Sequence, residues 1–111
     1  MENGIRYDYD KELDLLHIYN SNIDKGIKGG LSYGNFNVDI GMNDEIVGIE
    51  LEGASNVLNM SSSDLSSLDG VELMVRTVGA ILLIGVNVIK GQKNSTIQVN
   101  VPNPKTNILS L

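Results

Sequence analysis

The chain has no cysteine and no tryptophan, and only one phenylalanine, one histidine and two prolines in 111 residues. Without thiols, disulfides, thiol nucleophiles and zinc-thiolate centres are excluded. With His17 as the lone histidine, a metal site built on it would need carboxylates alone. Bases are also few: eight Lys and Arg stand against fourteen Asp and Glu, a net charge of −6. They are scattered, with no cluster longer than Lys25-Gly-Ile-Lys28. Nucleic-acid binding draws on counterion release by grouped bases, so this composition argues against it. Phe36 and the four tyrosines are not interleaved with bases as a base-stacking surface requires. Long apolar runs are missing as well. The longest, Val78 to Ile89, is broken by Gly79, Gly85 and Asn87 and falls short of the roughly 20 residues of a membrane span. The start, Met-Glu-Asn-Gly-Ile-Arg, lacks the basic flank and apolar region of a signal peptide. A cytoplasmic protein without membrane or nucleic-acid contacts is the expectation.

What is present is enough for one folded domain over residues 1–111. Hydrophobic residues make up 41% of the chain, close to the globular average, and the length can bury one core without metals or crosslinks. The organising stretch is Asn35 to Ser55. Phe36, Val38, Ile40 and Met42 alternate with Asn35, Asn37, Asp39 and Gly41, the period of a half-buried strand. After the polar turn Asn43-Asp44-Glu45, Val47, Ile49 and Leu51 take one face and Gly48, Glu50 and Glu52 the other. The pattern predicts a hairpin leading through Gly53-Ala54 to Ser55, a residue type that caps helices.

Around this hairpin the remaining elements fall into place. Ile5 to Tyr9 and Leu15 to Tyr19 read as strands joined by the short turn Asp10–Asp14. Asn20 to Gly30, rich in Asn and Gly, reads as a loop. Ser55 to Leu68 is the helical region, expected as two short pieces because its serine run is poor helix material. Ser61 with Asp64 resembles a capping box, and Asp69-Gly70 supplies a left-handed stop. Val71 to Val78 alternates. Ala80 to Ile89 is apolar nearly throughout, as in a strand covered on both faces. After a turn at Gly91–Ser95, Ile97, Val99 and Val101 form a last strand that Pro102 and Pro104 end. The fold class expected is α+β: a mainly antiparallel sheet of six to seven strands, with one short helical segment between the central hairpin and the C-terminal strands.

Two fragments carry a resemblance. Tyr9-Asp10-Lys-Glu12-Leu-Asp14-Leu-Leu16-His-Ile18 resembles the opening of a widespread group of small prokaryotic proteins classed as a domain of unknown function. Val47-Gly48-Ile49-Glu50-Leu51 with Ala54-Ser55 resembles that group's second motif, a strand entering a helix. The matching region spans residues 5–58. The family's central turn carries Gly where this chain has Asn43-Asp44-Glu45. The resemblance implies a short cytoplasmic protein. Some members in bacteria sit beside small toxin-like proteins, which implies a binding role and no assigned catalytic activity.

Several residues invite a chemical reading. Asp10, Glu12 and Asp14 have the alternating spacing of the start of a calcium loop. The Gly and Glu that such a loop needs at its sixth and twelfth positions are Leu15 and Ser21 here. Turn capping by these side chains is the simpler reading, and weak calcium binding is the alternative. Glu50 and Glu52 share a strand face that Asp39 adjoins, a solubilising arrangement unless burial raises one pKa. A carboxylate enzyme would need Asp10, Asp14, Asp39 and Glu50 to converge in a pocket. His17 is expected at the sheet surface. Gly26, Gly29, Gly30 and Gly34 have no phosphate-loop spacing. No catalytic residue and no cofactor is assigned. The function expected is a non-catalytic interaction or assembly module, a homo-oligomer or a partner of another protein. The doubly apolar strand is the reason, since one Ser-rich helical segment cannot cover both its faces.

Overall fold

The computed structural model describes residues 4–22 and 26–103. Residues 1–3 of the stretch read for a signal peptide, Lys25 of the small basic pair and Pro104 lie outside them. The described residues form eight strands and two short helices: β1 Ile5–Asp10, β2 Leu15–Asn20, β3 Ile27–Tyr33, β4 Phe36–Gly41, β5 Ile46–Glu52, α1 Ala54–Leu58, α2 Ser62–Leu65, β6 Gly70–Val78, β7 Ile81–Lys90 and β8 Lys93–Pro102. They build two antiparallel sheets, one in the order β1-β2-β5-β4-β3 and the other β6-β7-β8.

The expected single sheet of six to seven strands is therefore corrected. One strand more than expected is β3, which begins inside the Asn20–Gly30 stretch read as loop. It is an edge strand with Gly29 and Gly30 at its middle and little apolar alternation, so its membership depends on pairing with β4. The second sheet arises at Gly53 to Asp69. There the helical segment carries the chain off the first sheet, and β6, β7 and β8 return to stack against its inner face. Leu16, Ile18, Val38, Ile49 and Leu51 from the first sheet share one core with Ile84, Val86, Val88 and Val101 from the second. Each such side chain contributes about 1.5–3 kcal/mol by leaving water.

Local chemistry explains the helical segment. Gly53 enters α1 with φ 65, and Asn59 ends it with φ 54. Both are left-handed positions that Gly and Asn tolerate. Ser55, expected as a cap, lies inside α1. Gly70 opens β6 instead of ending a helix, since Asp69 already donates its N–H to the Ile89 carbonyl. The Ser61 hydroxyl does cap α2, accepting the Asp64 N–H at 3.0 Å. Ala54, Leu58, Leu65 and Leu68 close the core.

A bulge corrects the face assignment in β5. Asp39 pairs with Gly48 but Ile40 pairs with Ile46, so Val47 is an extra residue that swings to the outer face. Ile46 takes the inward place expected of Val47 and joins the core. Met42, expected inward, falls past the end of β4 and is exposed.

Candidate functional site

The turn between β1 and β2 is built around Asp14. Its backbone takes φ 51, a conformation Asp accepts more readily than most residues. This turns the carboxylate back toward the fold. Oδ1 accepts the Tyr9 hydroxyl at 2.6 Å and the Ser55 N–H at 3.1 Å, while Oδ2 accepts the Ser55 hydroxyl at 2.7 Å. The Asp14 carbonyl accepts the Ala54 N–H at 3.0 Å. Asp14 thus ties the first hairpin to the start of α1. Burial works to raise the Asp14 pKa, but the hydrogen bonds from Tyr9 and from the Ser55 hydroxyl and amide together hold it below its ordinary value. The Tyr9 phenol is pushed up to about 12, by burial first and then by the hydrogen bond to Asp14.

This geometry places each of the calcium-type residues. Asp10 accepts the Leu13 N–H at 3.1 Å, a turn-closing bond. Glu12 is exposed at the turn. Asp14 is directed at Tyr9 and Ser55. Among the described residues, no three carboxylate or histidine side chains are grouped to hold a metal ion. The four carboxylates of the enzyme reading also separate. Asp10 and Asp14 belong to the turn, whereas Asp39 and Glu50 lie on the outer face of the five-stranded sheet.

That outer face holds the polar residues of the strand alternation. His17 pairs across to Glu50 and Glu50 to Asn37, while Tyr19 pairs to Gly48 and Gly48 to Asp39. His17 Nε2 meets Asp39 Oδ2 at 3.2 Å, and the His17 and Tyr19 rings stack with centroids 5.0 Å apart. The pair bridges Gly48, where a Cβ would come within 3.1 Å of Asp39 Oδ2 and 3.2 Å of His17 Nε2. Beside it is a shallow hollow of about 260 Å³, lined by His17, Tyr19, Asp39, Ile27 and the bulged Val47. An imidazole joined to a carboxylate can relay a proton. General acid–base catalysis also needs a substrate held within hydrogen-bond reach, and among the described residues the lining of this open hollow adds no charged group besides His17 and Asp39.

The third feature is the tip of the β6–β7 hairpin. From Met74 to Val78 every residue of β6 is exposed, including Val75 and Thr77 of the inward face, which line a hollow of about 260 Å³ with Asp44, Glu45 and Ile46 of the first sheet. Met74 and Val78 are each 50% exposed, Ile81 46% and Val75 42%. The strand expected to be covered on both faces is fully covered on one, where Leu82, Ile84, Val86 and Val88 are buried, and only in part on the other, where Asn87 is buried, Leu83 and Gly85 are half-buried and Ile81 is exposed. The opposite face carries Ile81, Leu83 and Gly85, with the Met74 methyl folded over Gly85.

Sequence reasoning found the Asp10–Asp14 turn and the outward position of His17. It missed the Tyr9–Asp14–Ser55 joint, which spans 41 residues between Asp14 and Ser55. The available signal was a Ser directly after the turn into a helix, facing a turn Asp elsewhere.

No protein-family model matches the chain, and no solved structure matches it. Over 70 residues it is 34% identical to a curated protein of Methanosarcina mazei that bears the name "Putative hypoxanthine phosphoribosyltransferase". The match takes in 63% of this chain and 55% of that protein, so the chain spans about half the length of this relative.

Proposed function

We propose that the chain is a non-catalytic interaction or assembly module that works through the β6–β7 hairpin. One observation carries the reading: Met74, Val75, Val78 and Ile81 are exposed together at one end of one hairpin. Arg76 is the only charged residue from Leu73 to Ile89, in a chain of net charge −6. Apolar groups gathered this way on a stable fold mark a contact surface. The expected binding role of the resembling family agrees with it. Phosphoribosyl transfer, which the name of the Methanosarcina mazei protein suggests, finds no such support. Binding a pyrophosphate draws on a glycine-rich loop opening a helix, and the helices among the described residues, α1 and α2, have five and four residues.

The test compares the wild-type chain with a Val78→Glu, Ile81→Lys double variant. Light scattering on the purified chain, and retention from an extract of the native cells, should show the wild type in a complex with itself or another protein. The double variant should lose that complex while keeping the wild-type circular dichroism. A wild type that stays monomeric near 12.0 kDa and retains nothing the variant does not would sink the reading.

A further inference from the structure

We infer that the occupant of the hairpin surface is a second copy of this chain, joined edge to edge through β6 about a two-fold axis at Val75, a step that rests on the reading above. The edge chemistry leads there. Gly79 and Ala80 form a two-residue loop, with φ 59 at Gly79, between the paired residues Val78 and Ile81. In such a hairpin the flanking pair exchanges both hydrogen bonds, and alternate residues behind it do the same. Val78, Arg76 and Met74 therefore bond to β7, while Thr77, Val75 and Leu73 point their N–H and C=O groups away from it. Among the described residues, no backbone hydrogen bond outside the sheet ladders engages Leu73 to Val78. The first sheet packs against β6 through β1 and β2, and the hydrogen bond between them, from the Leu68 N–H to the Tyr7 hydroxyl at 2.8 Å, lies ahead of the strand.

The free edge is self-complementary. With Val75 opposite Val75 of the other copy, Leu73 faces Thr77 and Met74 faces Arg76 in both directions. Glu72 and Arg76 of opposite copies then lie diagonally on one face, within reach of long side chains. Glu72 Oε1 accepts from Asn87 at 2.8 Å, leaving Oε2 for that arginine. The result is a continuous six-stranded sheet whose joint carries apolar side chains on both faces. The other edges are worse suited. β1 presents Arg6, Asp8 and Asp10, β3 has a register shift between Ile27 and Gly29, and β8 carries Lys93 and ends at Pro102. Charge, irregularity and proline are the usual blocks to strand addition.

The absence of cysteine makes the test clean. In Val75→Cys the introduced thiol is the only one, and a hydrogen-bonded pair on a two-fold axis sets its Cα atoms about 5.5 Å apart, inside the range a disulfide spans. Mild oxidation should convert most of Val75→Cys to a covalent dimer, whereas Tyr33→Cys on the β3 edge should stay largely monomeric. Val75→Pro removes one outward N–H without touching a β6–β7 bond. It should weaken association at least about tenfold by sedimentation equilibrium. Three results would overturn the inference: a wild type that is monomeric at about 100 µM, Val75→Cys crosslinking no faster than Tyr33→Cys, or an undiminished dimer in Val75→Pro. The crosslinking comparison decides the matter even if the proline variant does not fold. A monomer that another protein retains through Val78 and Ile81 would leave the interaction reading standing and remove only the second copy.

Discussion

Replacing Asp14 by alanine removes the acceptor shared by three donors: the Tyr9 hydroxyl at 2.6 Å, the Ser55 hydroxyl at 2.7 Å and the Ser55 N–H at 3.1 Å. A hydrogen bond to a charged group contributes about 1.5–3 kcal/mol, and bonds sharing one acceptor do not add fully. The site is only part-buried, so water relieves some of the loss. Against that, alanine at φ 51 adds a left-handed strain of about 1–2 kcal/mol. The expected loss is about 3 kcal/mol, large beside a typical domain stability of about 5–15 kcal/mol. Asp14→Asn keeps an acceptor and tolerates the backbone, so it should lose about 1 kcal/mol. Urea unfolding at neutral pH measures both, and a cycle with Tyr9→Phe should give a coupling of about 1 kcal/mol between Tyr9 and Asp14. The pH dependence has a definite sign. Asp14 is held below its ordinary pKa, so its stabilisation is present above the unfolded value and disappears as pH falls through the folded one. The raised Tyr9 works at the other end: its contribution is complete below the ordinary phenol value of 10.0 and is lost as pH rises toward about 12. If Asp14→Ala cost under about 1 kcal/mol with no coupling to Tyr9, the joint would be incidental and the reasoning refuted.

Other outcomes follow from the same geometry. Gly48→Ala would press a methyl within 3.0 Å of the Ile18 carbonyl and 3.2 Å of His17 Nε2. It should cost about 1–3 kcal/mol and displace the His17 ring, visible as altered imidazole resonances; unchanged resonances would contradict the contact. Leu65→Ala, at a fully buried position of α2, should cost about 2–5 kcal/mol in urea unfolding, and a negligible cost would mean that α2 does not seal the core. Calcium titration followed by amide shifts should give only small changes across the acidic surface. Saturable shifts confined to residues 8–16 would show that Asp10, Glu12 and Asp14 do gather a cation.

Legibility in the sequence followed the range of the interaction. Strands whose own alternation sets their burial, such as Leu15–Asn20, can be read directly, as can the two helical pieces with Ser61 as a cap, whereas the apolar run in Ile81–Lys90 marks a strand without telling which face is the more covered. β3 cannot be read directly, because an exposed edge strand with two central glycines is a strand only through its neighbour. Alternation alone puts Val47 on the wrong face because a bulge shifts the period without altering residue types. Whether β6 to β8 extend the first sheet or stack on it is decided by the path of the helical segment, which periodicity does not record. The same limit hid the Asp14 joint, whose halves are close only after folding. Alternation places His17 on the outer face, but its partner Asp39 depends on the register of three strands.

The position of β5 between β2 and β4 also matters during synthesis. The first hairpin leaves the ribosome with Leu16 and Ile18 complete, yet the strand that covers its open edge ends at Glu52. At the usual elongation rate of about 5–20 residues per second, that interval lasts about 2–6 s, far longer than the microseconds a hairpin needs to form. During those seconds an apolar strand with an unpaired edge stands ready to pair with any chain nearby, including the same hairpin on an adjacent ribosome. The nascent chain is therefore most vulnerable to misassembly before its middle strand has emerged, and slowing translation between Asn20 and Ile46 prolongs that exposure.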